Sequence, residues 1–202
     1  QKALVQLQEI TSNSKESEAQ YEQASRLYQL LSGGNTKKIP LQQFILGIML
    51  DDILTYANEF FSLLSRGRYS LRRLEGSAGG NAKSGLDLEV LDGFTGAPRS
   101  IETLSGGEQF LASLSLAFGL SDVVQSYSGS VRLDSIFIDE GFGSLDQDTL
   151  DTAMKALTQI QKMGRTVGII SHVSELKNRI ATQIQVYPSK NGGSSITMIK
   201  DA

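Results

Sequence analysis

The chain has no cysteine, a single histidine and no long run of apolar residues. Without cysteine there is neither a disulfide scaffold nor a Cys-ligated zinc site, which fits a reducing compartment. The apolar, charge-free stretch Ile39 to Leu50 is broken by Pro40, Gln42 and Gln43. It falls short of the ~20 apolar residues that a bilayer-spanning helix needs. An excess of positive charge is also lacking: 19 Lys and Arg stand against 22 Asp and Glu, for a net charge of −3. Any contact with nucleic acid would therefore depend on a local patch and not on the overall field.

What is present suits a folded domain. Of 202 residues, 40% are hydrophobic and 20% charged, enough to build a sizeable core. The chain opens Gln-Lys-Ala-Leu-Val-Gln, without an initiating Met or a signal-peptide pattern, and reads as a piece of a longer protein. Residues 1–31 contain no Gly or Pro and predict a helix, polar all round from Thr11 to Gln20. It reads equally as a surface helix or as the end of a cut coiled coil. Ser32-Gly33-Gly34-Asn35 ends it, and Pro40 opens a second, long buried helix over Leu41 to Ser65. Tyr69 to Leu74 and Leu86 to Leu91 predict two strands joined by a Gly/Ser/Asn-rich loop.

From there helices and strands alternate. The pattern predicts a helix over Glu108 to Tyr127, a buried strand at Ile136 to Ile138 and a helix over Asp148 to Met163. A second buried strand follows at Val167 to Ile170, then a short helix at Glu175 to Ile180 and edge strands at Gln183 to Tyr187 and Ser195 to Ile199. This order predicts an α/β fold with a mostly parallel sheet flanked by helices. Ligands of such sheets bind beyond the carboxyl ends of the strands.

Four short segments carry chemistry. Leu104-Ser105-Gly106-Gly107-Glu108 lies directly before a helix. A helix N-terminus offers unpaired N–H groups and partial positive charge, and two glycines let the backbone approach a phosphate. Ser105 with Glu108 three residues on is also a capping box, which needs no ligand. Asp139 and Glu140 end the first buried strand. Successive strand residues face opposite ways, so the two acids can serve one site only if the chain turns, which Gly141 and Gly143 permit. Asp139 could then support Mg²⁺ through water and Glu140 could polarise an attacking water; an acidic loop exit is the plain alternative. Ser144-Leu145-Asp146 precedes a helix and by itself signals only a cap. His172, after Ser171, ends the second buried strand and could point into the same crevice.

Ser105 precedes Asp139 by 34 residues and Asp139 precedes His172 by 33, room for one crossover in each interval. LSGGE, FIDE, SLD and SH in this order resemble the ABC-type ATPase series of signature motif, Walker B, D-loop and H-loop. The longer strings LSGGEQFLASLSLAFGLSDVVQSY and FIDEGFGSLD resemble the C-terminal lobe of the SbcC family, the SMC/ABC-type ATPases of a DNA-repair nuclease complex. The likeness runs strongest from Thr103 to Ile180. Gln109 departs from it, standing where a small hydroxyl residue is more usual.

The resemblance implies a P-loop-NTPase-like half-domain over residues 39–202, with residues 1–38 ending an antiparallel coiled coil. It implies ATP and Mg²⁺ as cofactors. Ser105, Gly106, Gly107 and Glu108 would meet the γ-phosphate of ATP held by a second head. Asp139 would support Mg²⁺, Glu140 would be the catalytic base and His172 would sense the γ-phosphate. Ser144, Leu145 and Asp146 would cross the dimer interface. The implied partners are the N-terminal lobe of the same protein, a second head, a nuclease subunit and double-stranded DNA, in a cytoplasmic, nucleoid-associated setting without a membrane. The alternative is the head of a chromosome-organising SMC protein or another ABC-type ATPase.

The phosphate loop itself is missing. Ser77 to Ser84 holds a Lys-Ser pair, yet Ser77 and Ala82 occupy both required glycine positions. The chain alone is therefore expected to bind ATP poorly and not to hydrolyse it. Arg66, Arg68, Arg72 and Arg73 form a basic cluster that could touch phosphates or be a solvated strand edge.

Overall fold

A computed structural model describes residues 2–36, 38–74, 86–129, 133–162, 164–188 and 192–200, with side chains from Ser14 onward. The loop between the first two strands, with the Lys83-Ser84 pair, lies outside the described residues.

The first helix, α1, spans Lys2–Leu31. Its Tyr21, Leu27 and Tyr28 side chains are exposed. The second, α2, spans Leu41–Leu64 and starts at Pro40, whose φ of −60° suits that position. Gly47, Leu54, Ala57, Phe61 and Leu64 are buried along one stripe. The expectation of a wholly buried helix is corrected here: Phe44, Ile45, Ile48 and Met49 are exposed on its N-terminal half. Gly47 is the one buried residue of that half, with the Arg73 guanidinium against it, whereas the C-terminal half crosses the next long helix.

Strands β1 (Tyr69–Arg73), β2 (Leu88–Asp92) and β3 (Ala97–Ser100) form an antiparallel sheet in that order. Sequence reading missed β3, because Pro98 and the turn-rich Asp92 to Gly96 segment hide a four-residue edge strand. Pro is tolerated on an edge, where its missing N–H leaves no ladder partner unmet. A short 3₁₀ turn, Ile101–Thr103, leads into α3, Gly106–Ser128. Helices α2 and α3 cross closely at Gly119, where an added Cβ would sit 2.5 Å from the Ile53 carbonyl oxygen.

The chain then makes one parallel crossover. Strand β4 (Ser135–Asp139) leads through a 3₁₀ turn, Phe142–Ser144, into α4 (Gln147–Lys162) and returns as β5 (Thr166–Ile170). Strands β4 and β5 pair in parallel, with Asp139 opposite Ile170. Helix α4 buries Leu150, Ala153, Leu157 and Ile160 at spacings of three and four, the stripe expected of an amphipathic helix. A short helix, α5 (Ser174–Lys177), precedes the hairpin β6 (Thr182–Pro188) and β7 (Ser194–Lys200). The two strands expected at sheet edges thus pair with each other.

The expected parallel sheet is β4 with β5, and the other described strands pair antiparallel. The core joins α2, α3 and α4 through Phe61, Phe118, Phe142 and Leu157. One face of β4–β5 is bare: Phe137 is 74% exposed and its ring lies over Gly168 of β5. The β6–β7 hairpin carries a second apolar face, Ile184 opposite Met198 and Val186 opposite Ile196, all exposed. No described helix is long and apolar enough to cross a membrane.

Candidate nucleotide-facing site

The four motif segments lie along one continuous edge. The first is set by the start of α3. Ser105, at φ −63° and ψ 161°, is the N-cap, and its side-chain oxygen accepts from the Glu108 amide at 3.3 Å. Glu108 accepts in return from the Ser105 amide at 2.9 Å. The capping box is therefore real, and it does not compete with anion binding. It occupies the amides of Ser105 and Glu108, while those of Gly106 and Gly107 have no acceptor among the described residues. Gly106 is exposed and Gly107 half-buried.

The acidic pair is shaped by a turn sharper than expected. The left-handed residues are Glu140 itself, at φ +59°, and Gly141, at φ +92°; Gly143 is not among them. The Glu140 amide still donates to the Ile170 carbonyl at 2.9 Å, so the turn begins on the last rung of the ladder. Gly141 is obligatory for a second reason. A Cβ there would sit 2.2 Å from Phe110 of α3, whose ring meets Phe142 edge-on at 5.0 Å.

This turn brings Glu140 to His172. The Nδ1 atom of His172 lies 2.9 Å from Oε2 and 3.1 Å from Oε1 of Glu140. An ionised carboxylate only accepts, so Nδ1 carries the shared proton. Both side chains are open to solvent, as is Asp139 at the carboxyl end of β4. Among the described residues no group of three or more His, Cys, Asp or Glu could hold a metal by itself. A lone carboxylate suits Mg²⁺, which keeps several waters and takes its remaining ligands from phosphates.

Ser144, Leu145 and Asp146 join this edge to α3. Gly107 packs against Leu145, leaving 3.2 Å between an added Cβ and the Leu145 side chain, and Gly106 faces Ser144. Asp146 caps α4: its two carboxylate oxygens accept from the Thr149 amide at 2.9 Å and the Thr149 hydroxyl at 2.8 Å. These bonds, the amide's first, hold its carboxyl below the usual range. A cleft of about 430 Å³ opens between the start of α3 and the start of α4, with Arg66, Arg68 and Asp146 on its wall.

The expected basic cluster does not form an open cationic patch. Arg72 pairs with Glu89 at 3.0 Å, Arg73 with Asp51 at 2.7 Å and Arg68 with Asp92 at 3.1 Å. Arg66 donates to the Asp148 carbonyl and the Thr152 hydroxyl of α4. Each is held by a neighbour, Arg66 by neutral acceptors and the other three by carboxylates.

Three residues next to the signature segment escaped sequence reasoning. Tyr69 donates its hydroxyl to Oε1 of Glu108 at 2.7 Å. Arg99 donates to the Tyr69 oxygen at 3.1 Å and to the carbonyl of Thr103 at 2.9 Å. Asp92, only 3% exposed, lies directly across the ladder from Tyr69. Burial pushes the Glu108 carboxyl up, but the bonds from Tyr69 and Ser105 and the Arg68 charge outweigh it and hold the group below its usual range. Tyr69 moves the other way, raised by burial and then by Glu108. The alternation of Tyr69 with Leu71 and of Val90 with Asp92 could have placed these residues on one inward face. Without β3, Arg99 could not be placed at all.

Residues 85–159 match the family described as SbcC/RAD50-like, Walker B motif. The chain is 48% identical over 194 residues to the SbcC component of nuclease SbcCD from Vibrio cholerae serotype O1, covering 96% of this chain and 19% of that protein. It is 49% identical over 161 residues to the SbcC component of the Staphylococcus aureus strain JH9 nuclease, covering 80% and 16%. The chain thus spans about a fifth or less of the length of these curated relatives. Among solved structures, the Smc head domain with an extended coiled coil from Pyrococcus furiosus, bound to the C-terminal domain of ScpA, aligns with a TM-score of 0.55 at 18% identity. That alignment covers 93% of this chain and 43% of the other, and the likeness is one of fold.

Proposed function

Because this chain belongs to the SbcC family of SMC/ABC-type ATPases, we propose that it is the C-terminal lobe of a head that dimerises around ATP. The observation that carries this reading is the contact between Glu140 and His172 at the carboxyl end of β4–β5, on the same edge as the start of α3. Glu140 would be the catalytic base that polarises water and His172 would sense the γ-phosphate. Ser105, Gly106, Gly107 and Glu108 would serve the nucleotide of the second head, with Ser144, Leu145 and Asp146 at the interface between heads. Asp139 would hold Mg²⁺ through water. Bound Mg²⁺ would neutralise charge on the phosphates.

Several features support the fit of these groups. Two unpaired glycine amides at a helix start suit a phosphate oxygen. The Glu140 carboxylate is solvent-facing and oriented by an imidazole, as a general base requires. Residues 39–202 would form the lobe and residues 1–38 the end of an antiparallel coiled coil, in keeping with the exposed apolar side chains of α1. The bare faces of β4–β5 and of the β6–β7 hairpin would be covered by the N-terminal lobe, which would also bring the phosphate loop and the adenine pocket. The chain alone would therefore not turn over ATP. In the whole protein, ATP-driven closure of two heads would move the coiled coils and regulate a nuclease subunit acting on double-stranded DNA in repair and recombination. Identity of 48–49% to the SbcC components of two SbcCD nucleases favours this over a chromosome-organising SMC head.

Mixing this chain with its N-terminal lobe tests the reading. ATP-dependent dimerisation should appear by light scattering and be lost in Ser105→Arg, which places a bulky side chain where phosphate must approach. Dimerisation that ignores ATP or tolerates Ser105→Arg rules the reading out.

A further inference from the structure

We propose that the β1–β3 sheet is the positioning element of the signature segment, with Asp92 as its anchor and Tyr69 and Arg99 as the side chains that aim the Gly106 and Gly107 amides. This rests on the ATP-clamp reading above and deepens it by naming what holds the signature in place.

The sheet's inward face is apolar at one end and polar at the other. Leu71 and Val90 are buried partners that pack on the core. Tyr69 and Asp92, the cross-strand pair two residues along, bring the polar end to the start of α3. Arg99, opposite Val90 on β3, reaches the same place. Asp92 is almost wholly buried, which is costly for a carboxylate unless it is paired. Its oxygens take Arg68 at 3.1 and 3.4 Å, the Phe94 amide at 3.0 Å and the Arg99 charge at 3.7 Å. Arg68 is further held over the rings of Tyr69 and Phe94, at 4.6 and 4.9 Å from their centroids.

From this anchor the signature is gripped on both flanks. Upstream, Arg99 donates to the carbonyl and the hydroxyl of Thr103, two residues before Ser105. Downstream, Tyr69 holds one oxygen of Glu108 while the other oxygen holds the Ser105 amide. Gly106 and Gly107 lie between these two grips and have no side chains of their own to fix them. An ordinary capping box needs only Ser105 and Glu108. The added tyrosine and two arginines fix the direction of the box relative to the sheet. Preorganised amides bind a phosphate oxygen without first being ordered.

The test uses the full-length protein. Tyr69→Phe removes one oxygen and leaves the ring in the core. The ATP concentration for half-maximal head dimerisation should rise about tenfold, measured well below the melting transition, where the fold survives loss of one internal hydrogen bond. Arg99→Lys should act in the same direction, because an ammonium cannot bridge Thr103 and Tyr69 as a planar fork does. The double variant should cost less than the sum of the two, since both act through Tyr69 and Thr103 on one segment. A half-saturating concentration equal to wild type in Tyr69→Phe, or in Arg99→Lys should the first variant not fold, overturns the proposal. Failure of the wild-type protein to dimerise with ATP would instead remove the ATP-clamp reading and this inference with it.

Discussion

His172 Nδ1 sits 2.9 Å from a carboxylate oxygen of Glu140, although 32 residues and a whole helix separate them in the chain. Two features make the contact possible. Parallel pairing sets Asp139 opposite Ile170, and the left-handed turn at Glu140 swings its side chain towards the end of β5. A base and its orienting partner thus come from neighbouring strand ends.

If Glu140 activates water, Glu140→Gln in the full-length protein should lower ATP turnover by about 10²–10⁴-fold while leaving ATP-dependent dimerisation in place. His172→Ala should also slow turnover. The double variant should be little worse than Glu140→Gln alone, because touching residues acting on one step are not additive. Steady-state ATPase assays on the three variants decide this; full additivity would separate the two roles.

Gly141→Ala should destabilise the fold by about 2–4 kcal/mol, combining a left-handed backbone with a side-chain collision. The added methyl would lie 2.2 Å from Phe110, a ring already packed on Phe142. Gly143→Ala is the internal control: its nearest neighbour would be Val173 at 3.8 Å, and it should cost less than about 1 kcal/mol. Urea unfolding of both variants measures the difference.

The crossing of α2 over α3 makes a similar prediction deeper in the core. An added Cβ at Gly119 would meet the Ile53 carbonyl at 2.5 Å and the Ala57 amide at 2.8 Å, both rigid backbone atoms. Gly119→Ala should force the helices apart at a cost of about 1–3 kcal/mol or more, seen as a lower denaturant midpoint. An unchanged midpoint would mean that the helices can slide without loss.

Asp92 gives a pH-dependent signature. Its hydrogen bonds with Arg68, against the opposing pull of burial, hold its carboxyl below the ordinary aspartate value of 3.8. A group whose folded pKa lies below its unfolded one adds stability above the unfolded value and loses it as pH falls through the folded one. Wild type should therefore exceed Asp92→Asn in stability by a constant margin at neutral pH. That margin should shrink as the pH drops below about 4. Thermal melts between pH 7 and pH 3 check the sign, and a margin that grows on acidification contradicts it.

Much of the local structure could be read from the residues because it depends on neighbours in the chain. Ser105 and Glu108 are three apart, and their reciprocal capping follows from helix geometry alone. The stripe on α4 and the two hydrophobic strands ending at Asp139 and Ile170 likewise announce themselves by period. Other features were hidden because their causes are distant. Strand β3 contains Pro98 and has strand geometry only because β2 supplies its partner. The N-terminal half of α2 looks like a core helix by composition, yet burial depends on what packs against it. The arginines at 66, 68, 72 and 73 read as a charge cluster until their partners are placed in space, carboxylates for the last three and neutral acceptors on α4 for Arg66.

The order of the four motifs, the glycine start of α3, the acidic strand end and the lone imidazole were thus determined by the sequence itself, since each is a matter of residue type and short-range spacing. Only the tertiary structure decided that Glu140 meets His172, that Gly106 and Gly107 rest on Ser144 and Leu145, and that Tyr69, Asp92 and Arg99 grip the signature from a separate sheet. Those contacts join residues far apart in the chain. Their distances are set by strand register, helix crossing and close packing, none of which a local pattern contains.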